Sequence, residues 1–136
     1  MLFRSLVEEF LEESWDRHPA RPALPPQVDE IVLHGHCHQK ALWGNESSAR
    51  FLRRLFGERL RVLETGCCGM AGSFGYTTTR YDLSMRIGED RLFPAVRAAG
   101  DAVVCAPGTS CRHKIHDGTG REALHPVDLA ARALGL

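Results

Sequence analysis

Two adjacent cysteines followed by glycine, Cys67-Cys68-Gly69, stand at the middle of this 136-residue chain. Cys37 lies 30 residues before Cys67, and Cys111 lies 43 residues after Cys68. Successive side chains of an extended segment point opposite ways, so neighbouring thiols serve one apolar core badly. They are also strained as disulfide partners. A tight turn can instead present both to one inorganic core. Four thiolates are the donor set of an iron–sulfur cluster or of a structural zinc ion. A metal-free reading also exists, in which Cys68 and Cys111 cycle with disulfide partners.

The flanking residues suit thiolate chemistry. The first segment reads His34-Gly35-His36-Cys37-His38-Gln39-Lys40, the second Thr65-Gly66-Cys67-Cys68-Gly69-Met70-Ala71-Gly72-Ser73-Phe74-Gly75, and the third Gly108-Thr109-Ser110-Cys111-Arg112-His113. Glycines such as Gly69 and Gly108 allow close backbone approach and expose amide N–H groups. Lys40, Arg112 and the histidines would lower thiol pKa values and offset cluster charge. His36, His38 and His113 are candidate ligands, orienting donors or proton carriers. Cys105 follows Val103 and Val104 and reads as a core residue. No Ser-His-Asp or paired-carboxylate arrangement stands out, and Asp82 and Asp117 read as helix and loop caps.

The elements that position these residues follow from periodicity. Three β-rich runs, 30–34, 60–64 and 101–105, each precede one cysteine segment. The first and third look buried on both faces; the second alternates and belongs nearer an edge. A helix is expected over 45–56, capped by Asn45 and stopped by Gly57. A longer helical stretch is expected over 81–98, kinked or restarted at Pro94. A last helix begins near Pro126. The alternation predicts an α/β fold: a small parallel β-sheet flanked by helices, with the cysteine-bearing loops at the carboxyl edge of the strands, where ligands bind. Upstream, residues 1–18 hold an amphipathic helix, with Phe3, Leu6, Val7, Phe10, Leu11 and Trp15 on one face and Glu8, Glu9, Glu12, Glu13 and Asp16 on the other. Residues 19–27 contain four prolines and read as a linker, leaving 28–136 as a single cysteine-rich domain.

Bulk properties narrow the function. Lys plus Arg (17) equals Asp plus Glu (17), so no net field draws the chain to nucleic acid or an anionic membrane. No apolar run approaches the roughly 20 residues of a membrane span. Five cysteines is an odd count, and the start Met1-Leu2-Phe3-Arg4-Ser5 lacks the features of a secretory signal. Metal or redox use in the cytoplasm is therefore expected over a disulfide framework.

The Cys…Cys-Cys-Gly…Cys arrangement resembles the cysteine-rich CCG domain family. That domain occurs in heterodisulfide reductase B subunits, in anaerobic glycerol-3-phosphate dehydrogenase C subunits, and in iron–sulfur subunits of lactate and glycolate oxidases. The three strings quoted above, with Tyr81-Asp82-Leu83-Ser84-Met85 and Asp117-Gly118-Thr119-Gly120-Arg121, are similar to the C-terminal end of long FAD-linked oxidases. The resemblance implies electron transfer in an oxidoreductase acting on a 2-hydroxy acid such as D-lactate or glycolate. It implies an iron–sulfur cluster of the 4Fe–4S type on Cys37, Cys67, Cys68 and Cys111. FAD would sit on an upstream domain or partner, beside a ferredoxin-like domain, and membrane association would come through partners. Two departures mark this chain: Gly108 stands where the fullest motif has a further cysteine, and only one such unit is present. The chain therefore reads as a fragment or detached subunit without a complete catalytic cycle. The alternative is a structural zinc or thiol–disulfide domain that mediates subunit assembly.

Overall fold

The computed structural model describes residues 5–136. The expected helix start at Phe3 lies outside them. Four strands form one all-parallel sheet: β1 (Ile31–Leu33), β2 (Leu60–Val62), β3 (Val103–Cys105) and β4 (Ala123–Leu124), in the order β2-β1-β3-β4. Ile31 pairs with Leu60 and with Val103, and Val104 pairs with Ala123. β2 takes an edge, in keeping with its exposed Arg61. β4 escapes the periodicity argument because two residues are too few to show alternation.

Side chains alternate across this sheet and divide the core. Val32 and Val104 join Leu92, Phe93, Val96 and Ile115 on one face. Ile31, Leu33 and Cys105 join Phe51, Leu52, Leu55 and Leu129 on the other. The first face is covered by α5 (Leu92–Arg97) and α6 (Thr109–Thr119), the second by α3 (Glu46–Phe56) and α7 (Pro126–Ala133). The helical stretch after β2 breaks three residues before Pro94: α4 (Tyr81–Asp90) ends, Arg91 leaves helical geometry at φ −142°, and α5 starts anew. Proline lacks an N–H and its ring collides with the carbonyl four residues earlier, here that of Asp90, so the break belongs there. Asn45 precedes α3 without capping it: its side chain makes no cap hydrogen bond and instead fills the space beside Gly35.

The N-terminal helix, α1 (Val7–Trp15), packs on α3. Trp15 meets Phe51 edge-on at 6.3 Å, and Arg54 pairs with Glu12 at 2.7 Å and Asp16 at 3.0 Å. The helix is turned from the orientation expected of its apolar stripe. Glu8 is buried while Phe10 is 59% exposed. The cause is a polar row beneath it: Gln39 Nε2 donates to Ser48 Oγ, which donates to Glu8 Oε1, each at 2.8 Å. Residues 19–27 contain no helix or strand.

Candidate functional site

The carboxyl ends of β1, β2 and β3 bring the cysteine segments to one edge. Two of the three expected loops are helix starts. Cys37 opens α2 (Cys37–Leu42), and Cys111 sits in the first turn of α6. Asp117, expected as a loop cap, lies inside that helix. Only the Cys67-Cys68 segment is an irregular turn. There Gly69 (φ +89°), Ala71 (φ +40°) and Gly72 (φ +68°) take left-handed conformations. Such turns aim successive amides to one side. The Gly69 N–H points at Cys67 Sγ at 3.3 Å.

All five cysteines are free thiols. Cys37, Cys67, Cys68 and Cys111 lie close enough for their sulfurs to act on one another's charge. Cys68 and Cys111 are buried, Cys67 is half-buried and Cys37 is exposed. The neighbouring Cys111 thiol, with backbone amides and Cys67, pulls the Cys68 thiol down to about 6 against burial. Cys68, followed by burial, pushes Cys111 up. Burial pushes Cys67 up, with the Gly69 amide acting in the other direction. Cys68 is thus the sulfur on which the site favours negative charge. Cys105 points to the opposite face of the sheet, and burial holds it protonated.

An opening of about 570 Å³ reaches Cys37 and Cys68, lined also by His36, His38 and Ser110. Among the described residues no group of three or more His, Cys, Asp and Glu side chains is set to hold a single metal ion. The donor chemistry nevertheless fits a thiolate-bound inorganic core. Four sulfurs share one edge, their surroundings favour negative charge on Cys68, and the Gly69 amide is aimed at Cys67. A larger cleft of about 660 Å³ opens between Val28 and Ala102 at the amino ends of the strands. It carries no cysteine or histidine, and parallel sheets bind ligands at the other edge.

The remaining candidates divide by what they touch. Lys40 Nζ donates to the Thr65 carbonyl at 2.8 Å and ties the first segment to the second. Arg112 donates to the carbonyls of Ala106 and Pro107 at 2.9 Å and fixes the approach to α6. His113 pairs with the Tyr76 hydroxyl at 2.6 Å, away from the sulfurs. His36 packs against Gly108, and its ring occupies the space a side chain there would need. A Cβ at position 108 would stand 3.1 Å from Cys111 Sγ, so the position of the missing cysteine does face the site. Burial, then the neighbouring His38, lowers the His36 pKa.

His34 was legible only as a strand end, yet it is a buried support of the same edge. Its Nδ1 shares a hydrogen bond with Thr65 Oγ1 at 2.7 Å, and its Nε2 has no partner. Burial, with Lys40 and His36 nearby, depresses its pKa to about 4. The unfolded chain, with His near 6.5, binds a proton the folded chain refuses, so stability is lost as pH falls from 6.5 towards 4. The loss from this residue is about 3 kcal/mol. Urea titrations at pH 7 and pH 4 should show that His34→Gln removes this share of the acid destabilisation; an unchanged pH dependence would contradict it.

Comparison with known proteins agrees with a redox setting. The chain is 32% identical over 111 residues to the anaerobic glycerol-3-phosphate dehydrogenase C subunit of Escherichia coli, covering 82% of this chain and 28% of that protein. It is 32% identical over 123 residues to D-2-hydroxyglutarate dehydrogenase of E. coli, covering 90% of this chain and 12% of that protein. The Pseudomonas putida D-2-hydroxyglutarate dehydrogenase is 28% identical over 122 residues, with 88% and 12% covered. No family model and no solved structure matches. This chain is therefore similar to one segment, at most about a quarter of the length, of larger dehydrogenase polypeptides.

Proposed function

We propose that this chain is an electron-transfer domain of an FAD-linked oxidoreductase, with an iron–sulfur centre of the 4Fe–4S type held by Cys37, Cys67, Cys68 and Cys111. The observation that carries the reading is the placement of Cys37, Cys67, Cys68 and Cys111 past the carboxyl ends of three parallel strands, on one edge of the sheet. Similarity to dehydrogenases of glycerol-3-phosphate and of a 2-hydroxy acid supports the setting. When bound, such a centre takes up and releases single electrons.

The chain's own residues do the rest. The Gly69 amide and the backbone N–H groups acting on Cys68 stabilise negative charge on sulfur. Lys40 ties the first segment to the second, and Arg112 fixes the third segment's own approach to α6. His36 and His38 border the opening. An FAD-bearing dehydrogenase segment and a ferredoxin-like segment outside this chain are the partners. Among the described residues no helix is long and apolar enough to cross a membrane. Membrane contact would come through those partners, on the cytoplasmic side, where thiols stay reduced.

The test uses protein loaded with iron and sulfide without oxygen and mixed with photoreduced FAD. The expected result is reoxidation of the flavin together with an EPR signal from the reduced centre. A loaded centre that neither reduced FAD nor dithionite can reduce would overturn the electron-transfer role.

A further inference from the structure

Lys114 is a buried charge without a role in the site described so far. Its side chain is 0% exposed, and its Nζ has no hydrogen-bond partner. It stands three residues after Cys111 on α6, so it shares that cysteine's side of the helix. From α4, Tyr81 offers the face of its ring to Nζ at 4.8 Å. The charges that act on it are the Asp117 carboxylate on its own helix and the Cys68 sulfur from the turn after β2. Burial pulls its pKa down, and those two groups act against that.

An ammonium buried without a hydrogen-bond partner destabilises a fold. An apolar side chain of similar length would serve packing better. Charge is therefore the property to explain, and Cys111 lies one turn before it on the same side of α6.

We infer that Lys114 is a fixed cation behind Cys68 and Cys111 that offsets the negative charge gathered there. It is a positioning residue, acting through the sulfurs. Two consequences follow. It raises the reduction potential of a centre held by these cysteines, because an added electron meets a neighbouring positive charge. It also makes Cys68 favour anionic over neutral reagents that enter the opening. The first consequence rests on the function proposed above; the second does not.

The experiment compares wild type with Lys114→Met and Lys114→Arg. In metal-free protein, alkylation of Cys68 by iodoacetate and by iodoacetamide is followed by peptide mass spectrometry. Each rate is normalised to that of glutathione. The ratio of the two rates cancels the thiolate fraction and reports local charge. The ratio should fall several-fold in Lys114→Met and stay near wild type in Lys114→Arg. In loaded protein, the midpoint potential should move to more negative values in Lys114→Met and recover in Lys114→Arg. Lys114→Met should be at least as stable to urea as wild type. An unchanged ratio and an unchanged potential in a folded Lys114→Met protein would overturn the inference. So would lost stability with an unchanged ratio, which marks a purely structural lysine. If wild type takes up no cluster, the function proposed above fails, while the alkylation ratio still decides the role of Lys114.

Discussion

Cys68→Ser is expected to abolish retention of iron and sulfide while the fold persists. Cys68 is the sulfur on which the site favours negative charge, with Cys111 and Cys67 both acting to lower its pKa. A serine hydroxyl keeps the size and can hydrogen-bond the same neighbours, but it does not ionise near neutral pH and is a poor ligand for iron. The matching control is Cys105→Ala. That residue is buried on the opposite face of the sheet, among Leu33, Leu52 and Leu129. Its loss should cost about 1–2 kcal/mol of packing and leave metal content unchanged. Metal analysis with circular dichroism on both variants separates the cases. Full iron content in Cys68→Ser would contradict the assigned ligands.

Gly69→Ala should be the most damaging single methyl group in the site. Gly69 has φ +89°, and a Cβ there would run into the backbone carbonyl of Ser84. The turn is locked at that point, because Ser84 Oγ donates to the Gly69 carbonyl at 2.7 Å. An alanine must therefore adopt a strained conformation and displace α4 or the turn. The expected cost is about 2–4 kcal/mol in urea denaturation. Displacing the turn also removes the Gly69 N–H from Cys67. Gly72→Ala is the comparison: φ is +68°, but nothing lies within 4 Å of the added carbon. It should cost about 1 kcal/mol and spare metal binding. Equal effects at the two glycines would contradict the close packing on Ser84.

Much of this was legible from residue types and spacing. The runs around Ile31–Leu33 and Val103–Cys105 are apolar without alternation, which marks central strands, and Arg61 marks β2 as an edge. With three strand ends on one edge, convergence of Cys37, Cys67, Cys68 and Cys111 followed. The exclusion of Cys105 followed from its apolar neighbours, and the sheet adds the reason: it faces away from Cys111.

Other features escaped for physical reasons. Gly108-Thr109-Ser110 looks like a turn, and its glycine and hydroxyl residues mask the start of α6. Read as a helix, that segment would have placed Lys114 next to Cys111. Lys114, Glu8 and His34 are buried polar groups, which hydropathy assigns to the surface. Their burial depends on partners remote in sequence: Ser48 for Glu8, Thr65 for His34 and Tyr81 for Lys114. Lys40 and Arg112, expected beside the sulfurs, spend their donors on backbone carbonyls that shape the segments instead.

The most direct test of the central claim is metal and acid-labile sulfide analysis of protein purified without oxygen, with a visible spectrum before and after reduction. Iron and sulfide in similar amounts, with broad absorption that bleaches on reduction, are expected. Zinc alone, or no metal after reconstitution with iron and sulfide, would contradict the claim.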